Sequence, residues 1–342
     1  MRPDICAAGE EVFRREADAF LASLPAGWQE RWRRAVRQAA AGDGRALAEV
    51  RRSRNGMPPL PEGVRAVRIA PRMMLYVPAA PSASVTSVVP VSSAAHAASA
   101  SASGPLPLLV YFHGGGWVLG GIGSCARFCA ELAAAGHVLV LAADYRLAPE
   151  HPFPQGLDDC MRAVETALRR ASEWGGSPER VSVGGDSSGG NLALAVALRR
   201  RAEGLPPLRS LVLFYPVVTA RADGSASWKR YGQGAALDGT LMETFSLAYA
   251  SGREEFPLVS PAAASDAELA GLPLYDPLSG KVVPYEEFRA HSLDRASVDR
   301  NYGLKFIQGG TAAIPLGWLN RAQNMGLGHC TGLDLAGEEV CA

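Results

Sequence analysis

The chain has 342 residues, 48% of them apolar and 20% charged, enough for one large domain with a substantial core or two modest ones. Thirty-four basic residues balance thirty-four acidic ones. That zero net charge argues against a nucleic acid or anionic membrane surface held mainly by charge, since such binders carry a basic excess. Only Lys229, Lys281 and Lys305 among the basic residues are lysines, a bias that we read as genomic rather than functional. Six cysteines are scattered along the chain, and the one close pair, Cys125 and Cys129, lacks a second pair of metal ligands. Reduced thiols in a cytoplasmic protein are the expectation. No apolar run follows the first arginines as in a signal peptide, and no stretch of about 18 uncharged apolar residues spans a membrane.

Residues 10 to 52 have helical spacing, with Val12, Phe13, Ala17, Phe20, Leu21 and Leu24 at three- and four-residue steps and a second run from Trp28 to Arg52. They precede any strand-like sequence, so residues 1–63 are expected to form an N-terminal helical cap over a core of residues 64–342. Strand character follows over residues 64–77, broken at Pro71. Residues 78–104 are almost entirely Ala, Ser, Val and Pro and read as a flexible insertion. The pattern then becomes regular. Continuous apolar runs at Leu108–Phe112, Val138–Ala142, Val181–Gly184 and Leu211–Tyr215 alternate with helical stretches near 125–135, 157–174 and 190–203. Strands buried on both faces and separated by helices predict an α/β fold with a mostly parallel sheet.

Two glycine-rich segments carry chemistry. Gly185-Asp186-Ser187-Ser188-Gly189 lies between a buried strand and a helix, where a serine on a cramped turn projects its hydroxyl above the sheet. His113-Gly114-Gly115-Gly116-Trp117 follows another buried strand, and consecutive glycines leave backbone N–H groups open to an oxyanion. We expect the amides of Gly114, Gly115 and Ser188 to form that hole. His113 precedes the glycines and reads as a loop anchor rather than a base.

Together with Asp144-Tyr-Arg-Leu-Ala-Pro-Glu-His-Pro-Phe-Pro154, these motifs resemble the hormone-sensitive-lipase-like family of α/β-hydrolase esterases, across roughly residues 106 to 272. The resemblance implies an α/β-hydrolase fold and a carboxylic-ester hydrolase with a Ser-Asp-His triad, without metal or organic cofactor. It also implies that Asp144, Glu150 and His151 are scaffold. The expected partner is a small-molecule ester, with no nucleic acid and no membrane span, and a homodimer is the candidate assembly.

Beyond Pro273 the family pattern weakens, and residues 273–342 read as a divergent C-terminal region. Asp276 stands in the Asp-Pro-Leu sequence where the family places its acid, but the strand that should carry it reads as shortened or missing. Two histidines follow Ser187. His291 lies in an amphipathic stretch; His329 lies in a glycine-flanked loop after a strand candidate, Tyr302–Gln308. The order Ser187, Asp276, His329 is the order the fold uses, with Asp294 or Asp299 as alternative acids. The leading expectation is a serine esterase for short acyl chains. A deacetylase of a small acetylated metabolite and a catalytically impaired α/β-hydrolase that binds a ligand are the alternatives.

Overall fold

The computed structural model describes residues 22–79, 88–89, 104–222, 224, 228–229, 232–233, 237–276 and 280–289. Helices α1 (Trp28–Ala40) and α2 (Arg45–Arg54) lie near the start of the described residues, separated at Gly42–Gly44 where a single helical run was expected. Strands β1 (Val64–Ala70) and β2 (Met73–Pro78) form a hairpin that turns at Pro71. Within the Ala/Ser-rich insertion, β3 (Val88–Val89) joins the sheet edge parallel to β1. The α/β alternation follows: β4 (Leu106–Phe112), α3 (Ile122–Gly136), β5 (Leu139–Ala143), α4 (Gln155–Arg170), β6 (Gly176–Asp186), α5 (Ser188–Ala202) and β7 (Leu211–Phe214). Then come α6 (Gly239–Ala250), α7 (Asp266–Leu269), β8 (Pro273–Asp276) and β9 (Lys281–Pro284).

The nine strands make one sheet in the order β3-β1-β2-β5-β4-β6-β7-β8-β9. From β5 to β8 all neighbours are parallel, while β2 and β9 run antiparallel to them. Successive residues of β4 therefore feed two cores. Leu108, Val110 and Phe112 pack with α4 and α5, and Leu109 and Tyr111 pack with α3 on the opposite face. Helix α5 is buried almost all round, which fits its run of apolar residues from Leu192 to Leu198. In α4, Asp158 in the first turn and Arg169 and Arg170 in the last complement the helix dipole.

Because β4 to β8 are parallel, every segment that leaves their carboxyl ends emerges on one edge. The connection from β4 runs toward β5 on one side, and that from β6 runs toward β7 on the other. The space between them is a topological switch point, the crevice in which open α/β sheets place their ligands. The glycine loop after Phe112 and the Ser187 turn after Asp186 face each other there.

The N-terminal helices are fastened to this edge. Arg51 donates to the carbonyls of Val118 (2.8 Å) and Ala148 (2.7 Å) and pairs with Glu150 at 2.8 Å. Arg33 meets Asp238, the N-cap of α6, at 3.4 Å. Leu47, Val36 and Ala35 are buried in the same core as Trp117 and Phe245. Arg51→Ala strips two carbonyls of a charged donor and should lower unfolding free energy by about 2 kcal/mol, read as a lower urea midpoint. An unchanged midpoint would mean that this fastening adds nothing to stability.

Candidate active site

Strand β6 ends at Asp186 and α5 starts at Ser188, so Ser187 alone makes the turn. Its backbone sits at φ 52° and ψ −119°, a conformation that L side chains rarely adopt. The surroundings hold it there. The Ser187 N–H donates to the Phe214 carbonyl at 2.9 Å, and its own carbonyl accepts from Asn191 at 3.0 Å and Val217 at 3.1 Å. Helix and strand can close this tightly because Gly189 has no side chain: a Cβ there would lie 2.0 Å from the Phe112 carbonyl oxygen. The free N–H groups at the start of α5 give the turn a positive electrostatic environment.

The glycine loop is locked from both ends. His113 is buried, its Nδ1 2.9 Å from the Gly114 carbonyl and its ring stacked on Tyr145 at 4.4 Å. Burial holds its pKa below the ordinary imidazole value. It is an anchor, as expected. At the other end, Trp117 stacks on Tyr249 of α6 at 4.6 Å and donates to Asn191 Oδ1 at 3.2 Å. Asn191 Nδ2 in turn donates to the carbonyls of Val217 (2.6 Å) and Val259 (2.9 Å), so one side chain of α5 ties three loops together.

One expectation for the loop needs correction. The Gly114 amide donates to Asp186 Oδ1 at 2.9 Å and is therefore committed before any ligand arrives. The amides of Gly115 and Gly116 make no hydrogen bond among the described residues, and Ser188, first in α5, lacks an intrahelical acceptor. The uncommitted donors are Gly115, Gly116 and Ser188. Nothing in three consecutive glycines reveals which amide is already engaged, so the sequence alone does not single out Gly116.

The strand expected to carry Asp276 is present, although only four residues long. Leu274 lies opposite Leu211 in the β7–β8 pair, and Leu213 lies opposite Gly185 in the β6–β7 pair. Asp276 is therefore on the level of Gly185, at the edge from which Ser187 emerges, and it is fully buried. Ser187, Ser188, Gly115 and Asp276 thus come from one sheet edge. His329, His291, Asp294 and Asp299 lie outside the described residues.

Three histidines are described, and each is accounted for. His113 anchors the loop, and His137 caps the C-terminus of α3 just before β5, at the opposite edge of the sheet. His151 Nδ1 lies 2.9 Å from Gln155 Oε1. The Asp144–Pro154 segment is scaffold: Asp144 Oδ1 accepts from the first amide of α3 at 2.6 Å, and Glu150 holds Arg51.

Residues 109–275 match the family model of the α/β-hydrolase fold. The fold is that of the α/β hydrolases. It is 39% identical over 172 residues to carboxylesterase NlhH of Mycobacterium tuberculosis, covering 49% of this chain and 53% of that one. Esterase LipI of the same organism is 34% identical over 192 residues, with 54% and 60% covered. The chain thus spans about half the length of the curated relatives it matches. Among solved structures, a thermostable esterase of Pseudomonas putida is similar at a TM-score of 0.57 and 26% identity, covering 76% of this chain and 75% of that one. The hyperthermophilic esterase of Pyrobaculum calidifontis gives 0.53 and 25%, with 84% of each chain covered. Among the described residues no helix is long and apolar enough to cross a membrane.

The strain at Ser187 has a measurable consequence. Relief of such a backbone is worth about 1–3 kcal/mol, and the extra unfolded-state freedom of glycine offsets about 0.4–1 kcal/mol of that. Ser187→Gly should therefore be more stable than Ser187→Ala by about 1 kcal/mol in urea unfolding. Equal stability would show that the turn is unstrained.

Proposed function

We propose that the protein is a serine carboxylesterase that hydrolyses short-chain esters through an acyl-enzyme. The observation that carries this reading is the strained residue of the β6–α5 turn, Ser187, facing a loop with uncommitted amides at Gly115 and Gly116. Such a turn holds the hydroxyl clear of the sheet, and the amides supply what a tetrahedral oxyanion needs.

In this reading Ser187 Oγ attacks the ester carbonyl while His329 takes its proton. The amides of Gly115, Gly116 and Ser188 hold the oxyanion; the tetrahedral intermediate collapses, and the imidazolium protonates the departing alcohol. Water then attacks the acyl-enzyme by the same route in reverse roles, releasing the acid and freeing Ser187. Asp276 fixes the imidazole tautomer and stabilises the imidazolium. Its support is its place at the carboxyl end of β8, level with the residue two before the nucleophile. For His329 the support is chain order, glycine flanks, and the assignment of all three described histidines to other contacts. Small acyl groups are preferred on resemblance to the family, and esterase names among the relatives favour an ester over an amide.

One feature favours a second reading, an α/β hydrolase that binds a ligand without turnover. After β8 the chain makes an antiparallel strand, β9, where a further crossover to a parallel strand would continue the parallel run. Hydrolysis of p-nitrophenyl acetate and butyrate separates the two readings. We expect turnover that Ser187→Ala abolishes, with the fold retained by circular dichroism. Turnover surviving in that variant, once contaminating esterases are excluded, would end the proposal.

The assignment of the base is tested separately. Triad members act as a unit, so His329→Ala should lose activity by about a thousandfold or more, nearly as much as Ser187→Ala, while His291→Ala stays near wild type. The reverse pattern would move the base to His291. Loss in neither would leave Ser187 without a histidine partner and favour the binding protein.

A further inference from the structure

Asp186, one residue before the proposed nucleophile, is a half-buried carboxylate with three donors from three segments. Its Oδ1 accepts from the Tyr111 hydroxyl at 2.8 Å and from the Gly114 amide at 2.9 Å. Its Oδ2 accepts from the Tyr215 hydroxyl at 3.3 Å. Tyr111 comes from β4, Gly114 from the glycine loop and Tyr215 from the turn after β7. The fit is close: a Cβ on Gly114 would lie 2.2 Å from Asp186 Oδ2. The carboxylate therefore joins, in one contact, the backbone that carries Ser187 to the backbone that carries Gly115 and Gly116.

A negative charge is otherwise out of place here. The proposed reaction develops an oxyanion at this edge, and a neighbouring carboxylate opposes it electrostatically. Three hydrogen bonds spread that charge over two hydroxyls and an amide. What the carboxylate offers in return is geometric, because oxyanion donors must stand within about 0.5 Å of their productive positions. The Gly114 bond holds the loop by the residue immediately preceding the two uncommitted amides.

We infer that Asp186 is a positioning residue: it sets the distance between Ser187 and the Gly115 and Gly116 amides by accepting the Gly114 N–H. The inference rests on the serine esterase reading. It requires an acceptor at residue 186, not a charge. Asparagine keeps an oxygen for Tyr111 and Gly114 and presents its amide to the Tyr215 hydroxyl oxygen, whereas alanine removes every acceptor.

The test compares Asp186→Ala and Asp186→Asn with wild type in p-nitrophenyl butyrate hydrolysis, with melting temperatures recorded for each. Asp186→Ala should lower kcat by about a hundredfold, in the range for loss of an oxyanion donor, with KM within about threefold. Asp186→Asn should restore kcat to within about fivefold of wild type, since an oxygen acceptor returns. A purely structural role would not split kcat from KM in this way. Wild-type kcat in Asp186→Ala would overturn the inference, and so would an Asn variant as slow as the Ala variant, because charge would then be what matters. Should Asp186→Ala not fold, Gly114→Ala drives a methyl against the same carboxylate and must also depress kcat; a folded Gly114→Ala with full activity contradicts the inference. Turnover in wild type that Ser187→Ala abolishes keeps the parent reading standing while the inference fails. A wild-type chain with no turnover dependent on Ser187 overturns both.

Discussion

The whole site depends on one constraint, the turn from β6 into α5 in a single residue. A strand and a helix can meet this abruptly only if the turning residue accepts a φ of 52° and the first turn of the helix carries no side chain toward β4. Three backbone hydrogen bonds, from Ser187 to Phe214 and to Ser187 from Asn191 and Val217, keep the residue from relaxing. Packing elsewhere follows from this closeness. The α5 helix sits over β4 and β6, Asn191 reaches Trp117 and two loop carbonyls, and the glycine loop is drawn against the start of the helix. Strain at one serine is thus offset by hydrogen bonds and buried aromatic rings around it.

Helices from distant parts of the sequence meet at this edge of the sheet. Helices α1 and α2 precede the sheet, while α6 follows β7, and they share one core with Trp117. The contacts are specific. Arg33 joins α1 to the N-cap of α6, Arg51 joins α2 to the loops after β4 and β5, and Trp117 lies flat against Tyr249.

Much of the core was legible in the sequence because its signals are local. Apolar runs separated by helical spacing gave β4 to β7 and α3 to α5 within a few residues, and the Pro71 break marked the β1–β2 turn. Gly-Asp-Ser-Ser-Gly located Ser187, although the strand runs two residues further and the helix begins two residues earlier than the spacing suggested. What escaped was non-local. That Gly114 is spent on Asp186 depends on a partner 72 residues away, and no chain-local pattern announces it. Helix α6 carries a readable signal, Leu241, Phe245 and Tyr249 at four-residue steps, but the stretch before it has no periodicity to mark its start. β3 and β9 are too short for alternation to register, with two and four residues.

The central claim is that Ser187 is an activated nucleophile and not merely a turn residue. A fluorophosphonate probe reads this directly, since it bonds covalently only to a serine whose hydroxyl is deprotonated by a base beside an oxyanion site. Incubation of the purified chain with the probe, followed by mass mapping of the peptides, should show one stoichiometric adduct on Ser187. An unmodified chain, or an adduct on any other serine, would contradict the account.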